Sequence, residues 1–156
     1  MKDFSIRTAK ESDAPAISLI LRSLGWFENL ADENFEETIA RVSRHISLCK
    51  ADNSHTILVA DSEDGRVVGY ASIHWLPYLF LSGPEGYLSE LFVDESYRGQ
   101  GVGSMLFQTV LKEAKSRGCS RIMLANNRLR ESYKRGFYLK QGCVEREEIT
   151  NFIYKL

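Results

Sequence analysis

Apolar residues recur along the chain with two periods, and the switches between them predict an alternating order of strands and helices. Residues 4–7 read as a short strand. Ser12 or Asp13 then opens a helix that tolerates Pro15 in its first turn. Its apolar stripe is Ile17, Ile20, Leu21 and Leu24, and Gly25 ends it. A second helix starts near 32–34, with Phe35, Ile39, Val42 and Ile46 at helical spacing. The β-branched run 56–60, the Asp64-Gly65 turn signal and the run 67–75 predict an antiparallel hairpin. Residues 76–86 form a loop with Pro77, Gly83 and Pro84 that nonetheless carries Tyr78, Leu79, Phe80 and Leu81. Loop anchoring against the core and a pocket role account for those apolar residues equally well. Then come a strand over 87–93, a helix over 102–117 with Val102, Leu106, Val110 and Ala114 on one face and Gly118 at its end, and a strand over 120–125. Strand, helix and strand in that order make a crossover with parallel strands. Residues 130–141 read as a last helix ended by Gly142, and 144–149 with 152–156 as a closing hairpin around Thr150-Asn151.

The chain has 156 residues, 44% hydrophobic and 26% charged, which suits one domain with a proper core. A net charge of −1 argues against a general nucleic-acid or membrane-surface partner. No apolar run approaches the roughly 20 residues of a membrane span. Residues 1–7 lack the apolar centre of a signal peptide, so the expected location is cytoplasmic. Cys49, Cys119 and Cys143 are scattered, and His45, His55 and His74 lack ligand spacing, so neither a metal site nor a disulfide framework is expected. Local charge is uneven. Residues 25–64 hold nine acidic and three basic side chains, whereas 112–140 hold nine basic and two acidic. Two solvated helix faces explain this, and so does a division between a cationic and an anionic ligand.

The informative stretch is Leu88-Ser-Glu-Leu-Phe-Val-Asp-Glu-Ser-Tyr-Arg-Gly-Gln-Gly-Val-Gly-Ser104. A strand runs into a loop with Gly99, Gly101 and Gly103, and the loop opens into a helix. Glycines permit a tight turn and a close ligand. The helix N-terminus offers unpaired N–H groups and partial positive charge, so phosphate is the natural guest. Arg98 adds a full charge. No Gly-Lys-Ser/Thr follows, which excludes the Walker loop, and Ser104 stands where the dinucleotide fingerprint needs glycine.

Arg98-x-x-Gly101-x-Gly103, following Glu90-Leu91-Phe92-Val93, resembles the acetyl-CoA motif Q/R-x-x-G-x-G/A of the GNAT N-acetyltransferase superfamily. The element order resembles that fold over nearly the whole chain. The stretch from Arg130 to Gly142 with Phe137-Tyr138 is similar to the family's A-x-x-F-Y-x-x-x-G-F helix, although Cys143 replaces the usual aromatic residue and the interval from Asn127 to Tyr138 is longer than in many members. The resemblance implies an α/β (α+β) fold: a mixed, mostly antiparallel twisted sheet with a central parallel βαβ crossover and helices on both faces, forming one N-acetyltransferase domain over 1–156.

It also implies a site. Acetyl-CoA, with no metal, lays its pyrophosphate on Arg98, Gly99, Gln100, Gly101, Val102, Gly103 and Ser104, and its pantetheine arm beside Leu91, Phe92 and Val93. An amine attacks the thioester directly. The amine must lose a proton and the thiolate must gain one. Glu90 is the candidate base, through a water; an edge-strand charge or an arginine partner is the plain alternative. Tyr138 is the candidate acid, because a tyrosine stays protonated at neutral pH; a packing role is its alternative, and Tyr133 is the fallback. Asn127, or its neighbour Asn126, corresponds to a family asparagine that bonds pantetheine or a water; a turn cap explains it as well. The acidic first half, including Asp32, Glu33, Glu36 and Glu37, points to a cationic small-molecule or peptide amine, with Trp26, Trp75, Tyr78 and Phe80 as candidate pocket walls. A non-catalytic acyl-CoA sensor and a protein-modifying acetyltransferase are rival readings. The sequence leaves room for a homodimer.

Overall fold

Five strands make one sheet in which chain order and spatial order coincide. They are β1 (Phe4–Thr8), β2 (His55–Ser62), β3 (Val67–Leu76), β4 (Glu85–Val93) and β5 (Arg121–Leu124). The first three pairings are antiparallel, and β4 pairs with β5 in parallel. The computed structural model describes residues 3–156, which form two compact units divided after Leu124. The hairpin turn forms where Asp64-Gly65 signals it: Gly65 takes φ +76°, and its N–H donates to the Ser62 carbonyl at 2.8 Å.

Three longer helices complete the first unit: α1 (Ala14–Ser23), α2 (Phe35–Asp52) and α3 (Val102–Ser116). Alternation along the strands decides which face each covers. Ile57, Val59 and Tyr70 pack with Ile17, Ile20, Val42 and Ile46, so α1 and α2 cover one face. Gly69, next to Tyr70 and therefore pointing the other way, lies against Val102 and Leu106 of α3. Leu106, Phe107 and Val110 are wholly buried there. Each such side chain contributes about 1.5–3 kcal/mol.

The expected architecture is present: a mixed, mostly antiparallel sheet, a βαβ crossover, and helices on both faces. The crossover closes one end of the strand order rather than its centre, because the expected closing hairpin does not form. Among the described residues, 143–156 contain no strand. Val144, Phe152, Ile153 and Tyr154 are exposed, and an isolated pair of short strands with no face to bury is at best marginal. The single helix expected over 130–141 is two helices in the second unit, α4 (Glu131–Lys134) and α5 (Phe137–Lys140). Gly136 separates them in the left-handed region at φ +64°, its N–H donating to the Tyr133 carbonyl.

Asp13 precedes α1 as expected, but its carboxylate turns to Arg7 and to the Lys10 N–H rather than capping the helix. Arg7 donates two bonds to Asp13, at 2.7 and 3.0 Å, and two to Asp61, at 2.6 and 3.1 Å. The clamp ties β1 to β2 and to the start of α1. Burial alone would raise the Asp13 carboxyl, but the Arg7 hydrogen bonds, the Lys10 N–H and the arginine charge bring it below the ordinary aspartate range. Such a group stabilises the fold above its unfolded pKa, and that stability is lost as pH falls through the lower folded value. Arg7→Met strands a buried carboxylate and is expected to cost about 3 kcal/mol in urea denaturation at pH 7. The variant should also lose much of the wild-type decline in stability below about pH 4.

Candidate active site

The strand-to-helix turn supplies the first part of the site. After β4, the Asp94 carboxylate accepts from the Ser96 N–H at 2.9 Å, and one 3-10 turn, Glu95–Tyr97, leads to Arg98. Gly99 and Gly101 then take φ +75° and +88°, and Gly101 is the residue on which α3 begins. A Cβ built at either position would meet no atom within 4 Å. The backbone conformation, not packing, therefore requires glycine, and the space above the turn is open. The first N–H groups of a helix lack intrahelical acceptors, and here they face that space with the positive end of the helix dipole. Arg98 Nε donates to the Val93 carbonyl at 3.1 Å, and the Gln100 side chain folds back onto the Ser96 carbonyl at 3.0 Å. The Val102 side chain is buried in the core, so its N–H is what it offers to the turn. Gly103 and Ser104 continue the first turn of α3.

The second part is a bulge in β4. Ser72 of β3 is opposite Glu90, but the next residue, Ile73, is opposite Leu88, so Ser89 is an extra residue on β4. Pairing with β5 covers only Glu85 to Leu88. Beyond Leu88, no strand among the described residues lies along that edge, and Leu91 and Val93 keep main-chain polar groups there. Past the bulge, Glu90 and Phe92 share the face of Tyr70. The Tyr70 hydroxyl donates to Glu90 Oε2 at 2.8 Å, and Glu90 Oε1 accepts no hydrogen bond among the described residues. Burial, then the Glu90 charge and this hydrogen bond, push the Tyr70 phenol far above its ordinary pKa, so it remains a donor to the carboxylate.

The aromatic candidates separate. The Trp26 ring lies 5.6 Å from Phe92, and Phe27 lies 6.2 Å from the same ring. Trp26 and Phe27 are 39% and 37% exposed, and form an open aromatic wall next to Tyr70 and Glu90. Trp75 does not join them. It alternates onto the α3 face, is buried, donates to Thr56 Oγ1 at 3.1 Å and carries the Arg117 guanidinium on its ring. The expectation that it walls the acceptor pocket is corrected: it is a core residue on the opposite side of the sheet. Tyr78 and Phe80 face each other at 5.4 Å on the exposed loop before β4, with Arg121 over Phe80. Part of the acidic surplus is already occupied. Glu33 pairs with Arg41, and Glu37 closes a capping box with Asn34 at the start of α2.

Within the second unit, Tyr138 is half-buried and packs edge-on against Phe137 at 4.9 Å. Burial, with a smaller contribution from Cys143, pushes its phenol up to about 12. The Tyr133 hydroxyl is committed to Glu145, which also pairs with Arg128 at 2.7 Å. Asn127 Oδ1 accepts from the Leu129 N–H and Asn126 Oδ1 from Ser132, so both oxygens serve local turns.

Sequence reasoning passed over Tyr70, Phe27 and Ser89, and weighed the histidines only for metal-ligand spacing. Counting outward from Asp64-Gly65 as the two central turn residues pairs His55 with His74, which is the observed register, so that signal was readable. Nothing in the residue types marks Ser89 as the extra residue.

Residues 11–137 match the model of the acetyltransferase (GNAT) family. The chain is 32% identical over 145 residues to a thialysine N-epsilon-acetyltransferase of Bos taurus, covering 83% of this chain and 80% of that protein. It is 26% identical to an aminoglycoside N(6')-acetyltransferase type 1 of Stenotrophomonas maltophilia, covering 95% of this chain and 91% of that one. Among solved structures, one described as a transcriptional regulator from Bacillus halodurans C-125 superposes with a TM-score of 0.82 at 25% identity, covering 97% of this chain and all of that one.

The conformational requirement at the turn is testable apart from any ligand. In Gly101→Ala the new methyl group meets nothing, so the φ of +88° alone should cost roughly 1–2 kcal/mol in thermal or urea denaturation.

Proposed function

The chain belongs to the acetyltransferase (GNAT) family, and on that premise we propose that it transfers an acetyl group from acetyl-CoA directly to the primary amine of a small cationic acceptor. The observation that carries the reading is the open glycine turn at the start of α3, directly downstream of a bulged strand whose edge past Leu88 pairs with no strand among the described residues and which carries a half-buried carboxylate. The turn fits a diphosphate. Its donors are N–H groups at a helix N-terminus beside Arg98, and residues 98–104 include no carboxylate.

In this reading, residues 98–104 hold the diphosphate, and the edge from Leu91 to Val93, with Asn127, holds the pantetheine arm. Bound acetyl-CoA supplies an activated thioester carbonyl. Glu90 takes the proton from the incoming ammonium through a water on its Oε1 side, while Tyr70 holds Oε2. Tyr138 gives a proton to the departing sulfur, a role supported by a phenol that stays protonated throughout the neutral range. Trp26, Phe27 and Phe92 line one side of the acceptor, and Tyr78 and Phe80 offer a second aromatic surface.

Two features favour a cationic acceptor. Asp32 and Glu36 lie at the start of α2 with no ion pair among the described residues, and their field attracts cations. Thialysine, named for the Bos taurus relative, is itself a cationic amino acid with a side-chain amine.

The test is thiol release from acetyl-CoA across a panel of thialysine, lysine, polyamines, basic peptides, and neutral and acidic amines. Cationic amines are expected to turn over fastest. Glu90→Gln should lower kcat by about 10²–10⁴-fold. Tyr138→Phe should lower kcat while leaving acetyl-CoA affinity by calorimetry unchanged, and Gly101→Asp should abolish that affinity through clash and repulsion. No thiol release with any amine removes the assignment. Faster turnover of acidic amines removes the cationic acceptor.

A further inference from the structure

Trp26 and Phe27 stand on the connection between α1 and α2, residues 24–34, and one side chain fastens the backbone beyond them to the helix before them. Arg22 lies in the last turn of α1, and its carbonyl accepts from the Gly25 N–H at 3.3 Å. Its guanidinium turns back over the connection. Arg22 Nη1 donates to the Leu30 carbonyl at 3.2 Å, to the Glu33 carbonyl at 2.8 Å and to Thr38 Oγ1 at 3.1 Å. The two rings therefore sit between Gly25, held by the Arg22 main chain, and Leu30, held by the Arg22 side chain.

The anchor is itself held. Thr38 is 0% exposed, and its hydroxyl shares its hydrogen between Glu33 Oε2 and the Asn34 carbonyl, each at 3.2 Å. Glu33 also pairs with Arg41, and Asn34 opens α2 through its capping box with Glu37. Inside the connection, Leu30 is buried and its N–H donates to the Phe27 carbonyl at 3.1 Å. Gly25 makes the turn out of α1 at φ +66°.

A cation at a helix C-terminus gains from the dipole wherever it points, and a plain helix–helix connection runs to about 2–8 residues. Neither accounts for a longer connection tied through three oxygens that still leaves two aromatic rings partly in solvent. Both rings pack on Phe92, which shares the face of Tyr70 with Glu90. We propose that Arg22 is a positioning residue for the acceptor: it fixes Gly25 to Leu30 so that Trp26 and Phe27 stand as a preformed wall beside Glu90. This rests on the N-acetyltransferase reading.

The effect falls on one side of the reaction. An acceptor that meets rings already ordered avoids the conformational entropy of ordering them, and releasing Arg22 returns that loss to acceptor binding. The glycine turn and the Tyr70–Glu90 hydrogen bond are untouched, because the oxygens that the guanidinium serves belong to residues 30–38. Binding lost equally from ground state and transition state raises KM and leaves kcat as it was. An arginine with a merely structural role gives the opposite pattern: fewer folded molecules lower the apparent kcat and leave KM unchanged.

The deciding variant is Arg22→Met, which keeps an unbranched stem and removes the donors. With the fastest amine of the panel, thialysine by expectation, the acceptor KM should rise about five- to ten-fold, the effect of ordering two more aromatic side chains on binding. The kcat and the KM for acetyl-CoA should stay within about two-fold of wild type. Arg22→Lys, whose ammonium has three hydrogens for the same three oxygens, should restore part of the affinity. In a Trp26→Ala/Phe27→Ala background, Arg22→Met should raise the acceptor KM no further, because its route to the acceptor is gone. Amide hydrogen exchange over residues 24–34 should be faster in Arg22→Met than in wild type. Should Arg22→Met fold poorly, Thr38→Val keeps the buried volume, removes one of the three oxygens and should move the acceptor KM and the exchange in the same direction. In an active enzyme, an acceptor KM that both variants leave unchanged overturns the proposal, as does a further rise in the double-alanine background. Unchanged amide exchange overturns the positioning whatever the turnover. A wild type that releases no thiol with any amine overturns the acetyltransferase reading and the acceptor role of Arg22 with it.

Discussion

In β4, Ser89 is one residue more than β3 can match, and the ladder resumes on its far side with Glu90 opposite Ser72. Because side chains alternate along a strand, the extra residue decides which face everything after it looks toward. Below the bulge, Gly86 and Leu88 point toward α3 and the core. Above it, Glu90 and Phe92 point toward α1 and α2, where Tyr70, Phe27 and Trp26 meet them. Were Ser89 paired in a regular ladder opposite Ser72, Glu90 would fall opposite Ala71 and face the apolar underside of α3, where a carboxylate finds no donor. The same irregularity coincides with the end of β5 pairing at Leu88. One local mismatch therefore sets the direction of the carboxylate, the start of the open strand edge and, three residues past Leu91, the Asp94 turn from which the glycine loop departs.

How much of this was readable depended on whether residue type alone sets the geometry. Gly99 and Gly101 were readable because the turn takes positive φ at those two steps, which favours glycine. The two central helices and the Asp64-Gly65 hairpin were readable from period and turn chemistry. The bulge was not, because Ser89 is as ordinary in a ladder as in a bulge and the difference lies in the partner strand. Trp75 misled for a similar reason: an aromatic residue beside a breaker-rich loop suggests a pocket, but alternation turns it under Arg117 toward Thr56. The break at Gly136 was visible as a glycine, yet the apolar pattern around Tyr133 and Phe137 continued across it. The tail from Val144 to Leu156 has strand-forming residues, but strands also need a ladder and a face to bury, and neither is a property of the segment itself.

The acceptor side shows why net charge is a coarse guide. The first half of the chain is acidic, but Glu33 is paired with Arg41, Glu37 caps α2, and Asp13 and Asp61 are held by Arg7. That part of the charge maintains the fold. What faces the region around Glu90 is a set of uncharged groups, Tyr70, Trp26 and Phe27, around one carboxylate.

The lower half of β4 must then hold its register with only four residues of parallel ladder. The solution is a buried charge. Glu85 is 0% exposed, it pairs with Arg121 directly opposite on β5, and one of its oxygens has no partner. Exchanging a buried ion pair for apolar side chains is often neutral or better for stability, so stability alone is a weak reason for this arrangement. It does penalise sliding. A shift of β5 by one residue would set Ile122 against the carboxylate and leave the anion buried without a cation, a cost of several kcal/mol. Ser120 reinforces the same register: its N–H donates to the Pro84 carbonyl at 2.9 Å, and its hydroxyl accepts from the Gly83 N–H at 2.8 Å. Gly83 lies so close to the Gly118 carbonyl that a Cβ there would fall 2.1 Å from the oxygen, so the segment leading into β4 is pinned against the one leading into β5. With the lower ends of both strands fixed, pairing stops at Leu88 rather than drifting, and the open edge begins at the bulge that turns Glu90 outward.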